Sequence, residues 1–304
     1  MLLQVSPHYP HKRIASKASL LKALRLTENE LDTVLNNTED YYRPNALNVK
    51  GRMTYSVGKP LKRVHQLINR RLLNRVVEPY YIYCVKGKGC KTNAKAHLGA
   101  KVLINEDINK CFDSCTSQHV FDVWRYLFNF SDEIANILTA LTTTENKLPQ
   151  GAITSTNLAN LILWRYEPQL VENFRSRGLI YSRYVDDITV SSSKILSNTD
   201  KTVIIKKIYG MLTLVGLKPN RGKHTISHEY QPMTVNNQVI NSGEVTLPKK
   251  FINNTRAAIF QLGHITDKNE KQKKYKSVLG GINHIRQYHP NKADALNEML
   301  MGNT

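Results

Sequence analysis

Apolar residues recur at helical spacing between residues 16 and 38, where Thr27 and Glu30 fit a capping box ahead of Leu31, Val34 and Leu35. The run KRVHQLINRRLL repeats the pattern at Val64, Leu67, Ile68 and Leu72, with its arginines expected on the opposite face. Residues 79–98, rich in Gly, Lys and Tyr, are expected to form a loop; Gly87-Lys88-Gly89 completes neither a P-loop nor a dinucleotide fingerprint. Residues 101–105 then form a short apolar run of strand character that ends at Asp107. Helices are expected over 117–129 and 132–143, and a longer one over 153–177 that stops at Gly178. Two β-rich runs, 179–181 and 188–190, flank Tyr184-Val185-Asp186-Asp187, a hairpin pattern with two carboxylates at its tip. Residues 199–215 read as a helix with Ile204, Ile208, Met211, Leu212 and Val215 in one stripe, capped by Gly216 and kept from resuming by Pro219. Short strands near 223–228, 235–240 and 244–247 precede a helical C-terminal segment from Pro248. This order predicts an α+β fold with helices on one face of a sheet, and no internal repeat is visible.

Charge changes the picture more than length does. The chain has 304 residues, enough for about two domains, and its hydrophobic content of 41% is that of a globular protein. Lys and Arg outnumber Asp and Glu by 43 to 24, a formal charge of +19. So large an excess points first to nucleic acid and second to an anionic membrane surface. Residues 50–75 carry eight basic and no acidic side chains, and residues 248–292 carry ten against Asp267 and Glu270. No apolar run approaches the ~18 residues of a membrane span, and the N-terminus lacks the order of a signal peptide. The expectation is a soluble, cytoplasmic protein with no membrane partner. Cys84, Cys90, Cys111 and Cys115 have no zinc-site spacing and are expected to be reduced thiols.

The adjacent Asp186 and Asp187 repel each other unless a positive group lies between them. With Asp107 at the end of another strand, they form a set of hard oxygen ligands that suits Mg²⁺. Two such ions ~3.5–4 Å apart support phosphoryl or nucleotidyl transfer. The residues alone also allow a turn dipeptide with a helix cap, or a glycosidase-like acid pair. The last gives no reason for a basic surface.

Four ordered boxes narrow these alternatives. Tyr184-Val185-Asp186-Asp187 resembles the YxDD box of reverse transcriptases, and Asp107 through Phe112 resembles their first-aspartate motif. Leu148-Pro149-Gln150-Gly151-Ala152 resembles their LPQG box, and Gly216-Leu217 with Asn220 and Lys223 resembles the segment after YxDD. Asn93-Ala94-Lys95-Ala96-His97 is similar to the NAxxH motif of bacterial retron reverse transcriptases. Val235-Asn236-Asn237 departs from the VTG triplet of that group.

The resemblance, which covers about residues 45–300, implies an α+β right-hand polymerase fold. The N-terminal helices and fingers would lie in 1–100, the palm in 101–247 with part of the fingers at about 115–150, and a basic helical thumb in 248–304. It implies an RNA-directed DNA polymerase with Asp107, Asp186 and Asp187 as catalytic residues. Two Mg²⁺ ions would be held by Asp107, Ile108, Asp186 and Asp187. Lys50, Arg52, Phe112, Gln150 and Lys223 would meet the incoming dNTP, with Phe112 excluding a ribose 2′-hydroxyl because its ring offers no acceptor. Asn93, His97, Lys249, Lys250, Arg256, Lys273, Lys274, Lys276 and Arg286 are the candidate RNA contacts, with a local fixing role for His97 as the alternative. The implied partners are dNTPs, a structured non-coding RNA that serves as template and 2′-hydroxyl primer, its branched msDNA product and a retron effector in anti-phage defence. Another small bacterial reverse transcriptase, or an RNA-binding scaffold without activity, stays open at this point.

Overall fold

The computed structural model describes residues 3–47 and 51–302. It divides into two compact units, one of residues 1–89 with 102–226 and one of residues 90–101 with 227–304. The C-terminal helices expected as a thumb therefore share their unit with 90–101 and 227–247.

In the first unit, Tyr42–Pro44 (β1) and Tyr55–Val57 (β2) form an antiparallel hairpin. The main sheet has the order β3–β5–β6–β4–β7. Its strands are Ile82–Tyr83 (β3), Val102–Asp107 (β4), Leu179–Tyr184 (β5), Asp187–Ser192 (β6) and Thr225–His228 (β7), the last lying where the chain passes from one unit to the other. β5 and β6 pair antiparallel from Leu179–Ser192 to Tyr184–Asp187, so Val185 and Asp186 alone form the turn. β4 pairs antiparallel with β6, and its register sets Asp107 opposite Asp187. Val102, Ile104, Ile188 and Val190 form one buried apolar face across β4 and β6, while the opposite face carries the buried hydroxyls of Thr189 and Ser191 beside Leu103.

Several predicted helices are shorter than their periodicity suggests. The 16–38 stretch is two helices, Lys17–Leu24 and Glu28–Asn36, because Arg25 turns to a left-handed φ of 57° and the Thr27–Glu30 capping box starts the second. The 153–177 stretch is likewise Ser155–Leu161 and Glu167–Ser176, with Pro168 in the first turn of the latter. The expected helix at 117–129 is α-helical over Ser117–Asp122 and passes into a π-helical turn, Val123–Leu127, that buries Trp124. Within 79–98, read as a loop, lie β3 and the helix Cys90–Ala96. The helices Lys59–Arg71 and Asn198–Leu214 match their predicted stripes, burying Val64 and Ile68 in one and Ile204, Ile208, Met211 and Leu212 in the other. All four cysteines are free thiols.

The second unit has its own core, in which Ile252 and Ile259 meet Val278, Ile282, Ile285, Leu296 and Leu300 from the helices Lys249–Leu262, Lys268–Arg286 and Pro290–Gly302. A small hairpin of Thr234–Val235 (β8) and Gln238–Val239 (β9) turns at Asn236 and Asn237, with φ of 46° and 63°. Asparagine tolerates that left-handed turn better than other non-glycine residues do. The Val235-Asn236-Asn237 triplet is thus a hairpin turn. No described helix is long and apolar enough to cross a membrane.

Candidate active site

The ends of β4 and β6 and the β5–β6 turn bring three acids together. Asp107 closes β4 with its side chain 6% exposed. Asn220 Nδ2 donates to its Oδ1 at 3.0 Å, and Lys223 Nζ lies 2.5 Å from its Oδ2. The backbone repeats the link: Asn220 N–H donates to the Asp107 carbonyl at 2.7 Å, and Asn109 N–H to that of Lys218 at 2.8 Å. Burial, and after it the charge of Asp107, pushes the Asp186 carboxyl above its ordinary value, while Lys223 and Arg52 act the other way.

The turn itself is held from both sides. Val185 has a φ of 57°, a conformation that is strained for a β-branched residue. Its carbonyl accepts from Arg183 Nη1 at 3.0 Å, and the carbonyl of Asp186 accepts from Ile108 N–H at 3.0 Å. Arg183 is fully buried, and its Nε and Nη2 donate to the two oxygens of Glu167 at 2.6 and 2.8 Å. Nη2 also reaches the Asn160 carbonyl at 2.7 Å, while Tyr181 donates to Glu167 Oε1 at 2.7 Å. A lone charge inside the β-rich Leu179–Val185 run was the available signal for this support.

In front of the acids lies a cleft of about 520 Å³. Asp186 lines it together with Arg52, Phe112 and Gln150, so three of the predicted dNTP residues share one space. Lys50 lies outside the described residues, and Lys223 is on Asp107. Lys110, Lys147 and Asn220 also line the cleft, and the motif reading assigned none of them a role. Gln150 is fixed by its backbone, whose carbonyl accepts from Tyr55 N–H at 2.8 Å. Gly151 makes this approach workable: its φ is +111°, and a Cβ there would lie 2.7 Å from the Tyr55 carbonyl oxygen.

Two predicted RNA contacts are corrected. Asn93 and His97 are both fully buried, so neither side chain presents a surface to RNA. Asn93 donates to Asn236 Oδ1 at 2.6 Å, which ties the NAxxH segment to the Val235-Asn236-Asn237 turn. Burial holds the His97 pKa down at about 4, so the ring is neutral at physiological pH. A buried, neutral ring fits the alternative of a local fixing role. The basic candidates Lys249, Lys250, Arg256, Lys273, Lys276 and Arg286 are exposed on the C-terminal helices, and Lys274 is half-buried. Arg286 is paired with Asp294 at 2.8 Å.

Among the described residues, no three His, Cys, Asp or Glu side chains by themselves form a metal cage. The donors fit a hard divalent cation that completes its shell with substrate oxygens: two carboxylates from Asp107 and Asp186, with Asp187 beside them. Ile108 has only its carbonyl oxygen to offer.

Acids on adjoining strand ends, a cleft with cationic walls and a mixed helix–sheet fold fit the α+β polymerase class. A family model described as reverse transcriptase (RNA-dependent DNA polymerase) matches residues 37–276. The chain belongs to this reverse transcriptase family, as its motifs imply. It is 32% identical over 227 residues to the retron Se72 reverse transcriptase of Salmonella heidelberg (strain 579083-10), covering 73% of this chain and 60% of that protein. It is 28% identical to the retron Ec48 reverse transcriptase of Escherichia coli over 94% of this chain and 76% of that protein. The retron Ec86 reverse transcriptase of the same species is 29% identical over 79% and 76%. The retron-type resemblance is borne out by these relatives, and the expected activity at the level of the family.

Proposed function

We propose that this chain is the polymerase of a retron, copying part of a partner non-coding RNA into DNA from a 2′-hydroxyl of that RNA. The branched RNA–DNA product would act with an effector protein in anti-phage defence. The observation that carries the chemistry is the shared cleft of Asp186, Arg52, Phe112 and Gln150 beside Asp107.

In this reading Asp107 and Asp186 hold two Mg²⁺ ions, with Asp187 and the Ile108 carbonyl in support. Bound Mg²⁺ supplies Lewis-acid stabilisation of the attacking and leaving oxygens. Arg52 draws the triphosphate into the cleft, and Lys50 is its expected companion. Gln150 lies against the sugar and base, and Phe112 fills the space that a 2′-hydroxyl would need, leaving that hydroxyl without a partner. Lys223 neutralises or protonates the pyrophosphate. The exposed lysines of the C-terminal helices track RNA phosphates, which makes affinity fall steeply with salt. Fingers, palm and thumb would follow the sequence divisions, with 90–101 and 227–247 grouped with the thumb helices.

The test co-expresses the chain with the structured RNA encoded beside its gene. A branched product that resists RNase and carries a 2′ linkage is expected from the wild type. None is expected from Asp186→Asn, which should still bind that RNA. DNA synthesis on generic primer–templates without any branched product would favour another small bacterial reverse transcriptase. Undiminished synthesis by Asp186→Asn would sink the metal assignment.

A further inference from the structure

We infer that Glu106 and His224 form an anchor for Lys223, and that Lys223 is a resident counter-ion which a divalent cation displaces from Asp107. The inference rests on the polymerase reading of this site.

The two consecutive residues of β4 point to opposite faces. Asp107 lies beside the cleft, where the lining residue Asn220 donates to its Oδ1, and pairs with Lys223 at 2.5 Å. Glu106, on the other face with its side chain fully buried, pairs with His224 Nδ1 at 2.7 Å and accepts from Tyr209 at 3.2 Å. Two neighbouring residues of the strand thus grip two neighbouring residues of the turn Arg221–Lys223 and its cap. The backbone bond from Asn220 to Asp107, at 2.7 Å, fixes the same segment from a third point. Lys223 cannot drift with the turn, because the turn is held.

Both carboxylate oxygens of Asp107 already have donors, Asn220 on Oδ1 and Lys223 on Oδ2. A nearly buried carboxylate needs such compensation. Each oxygen keeps a second lone pair for a metal, but a cation bound there would sit beside the ammonium with the same sign of charge, and the two repel. Lys223 is 49% exposed and has room to swing away. Because His224 keeps its backbone in place, the released ammonium stays at the cleft, where the triphosphate lies. The cation that compensates Asp107 in the empty site thereby becomes the one that meets pyrophosphate. His224 and Glu106 are positioning residues: they touch neither substrate nor metal and act through Lys223.

The experiment is a double-mutant cycle on the full chain with Lys223→Met, His224→Leu, the double variant, and His224→Gln as the conservative replacement. Two quantities are read: Mn²⁺ affinity of nucleic-acid-free protein by electron paramagnetic resonance, and the single-turnover rate at saturating dNTP on a primed RNA template. Lys223→Met should bind Mn²⁺ about fivefold tighter, the worth of a half-exposed ion pair, and turn over more slowly. His224→Leu should shift both quantities in the same directions by less, with primer–template affinity unchanged. In the Lys223→Met background it should change nothing further, and His224→Gln should restore most of the rate. Equal losses from His224→Leu in both backgrounds would overturn the anchor. Unchanged or weaker Mn²⁺ binding by Lys223→Met would overturn displacement. If His224→Leu does not fold, Glu106→Gln is carried through the same cycle. A wild type that binds Mn²⁺ but incorporates no dNTP on any RNA would defeat the polymerase reading, while the Mn²⁺ measurements would still decide the inference.

Discussion

Replacing Arg183 by Met tests whether the carboxylate turn depends on its buried support. Methionine keeps much of the apolar volume and removes the guanidinium. Glu167 then loses its donors on both oxygens from Arg183, at 2.6 and 2.8 Å, and keeps only the Tyr181 hydroxyl. The carbonyls of Val185 and Asn160 lose theirs as well. The pair is buried, with side chains 0% and 2% exposed, so an uncompensated charge remains inside the protein. Removing one partner of such a pair costs ~3–5 kcal/mol, against a total stability of ~5–15 kcal/mol for a typical domain. The pair Arg177–Asp200, 34% and 44% exposed, is the internal control. Arg177→Met there should cost less than ~1 kcal/mol. The double variant Arg183→Met with Glu167→Leu removes both charges and should recover stability relative to Arg183→Met alone. It still leaves Val185 without the donor that holds its left-handed turn. The double variant should therefore fold but transfer nucleotides on the order of 10²-fold more slowly, the penalty expected for a displacement of about 1 Å. Urea unfolding and single-turnover incorporation on a primed RNA measure the two effects. An Arg183→Met loss no larger than that of Arg177→Met, or a double variant no more stable than the single one, would refute the reasoning.

Phe112→Val should open the space beside the ribose 2′ carbon and raise rNTP relative to dNTP incorporation. An unchanged ratio on one template would leave Phe112 as a packing residue. Glu78 gives a pH dependence, since burial pushes its carboxyl up to about 7. Its folded-state pKa lies above the unfolded value, so its contribution to stability is fully present below the unfolded pKa and is lost as pH rises through about 7. Glu78→Gln should accordingly be more stable than wild type at pH 8, by at most ~3 kcal/mol, and equal to it at pH 4. Urea midpoints of both proteins at the two pH values check this, and identical midpoints at pH 8 would exclude a buried ionised Glu78.

Local pattern was enough to locate the three acids of the candidate site. The two β-rich runs of β5 and β6 and the short apolar run of β4 mark the strands, and the motif boxes mark which residues sit at their ends. The stripes of Lys59–Arg71 and Asn198–Leu214 were legible for the same reason, since a buried helical face repeats every few residues. Helix ends were less legible: Arg25 and the break before Glu167 depend on single backbone torsions and on what packs against them. Polar pairing between residues distant in the chain was not legible, although the local Thr27–Glu30 capping box was. Nothing between positions 107 and 223 says that Lys223 meets Asp107, or that Arg183 turns inward to Glu167. Hydrophobic burial leaves a periodic trace in the chain, whereas an ion pair is two isolated residues whose meeting depends on strand register. The same limit explains Asn93 and His97, for which the NAxxH resemblance suggested an RNA contact. The tertiary structure closed both residues inside their unit, where the Asn236 side chain, rather than RNA, meets that of Asn93.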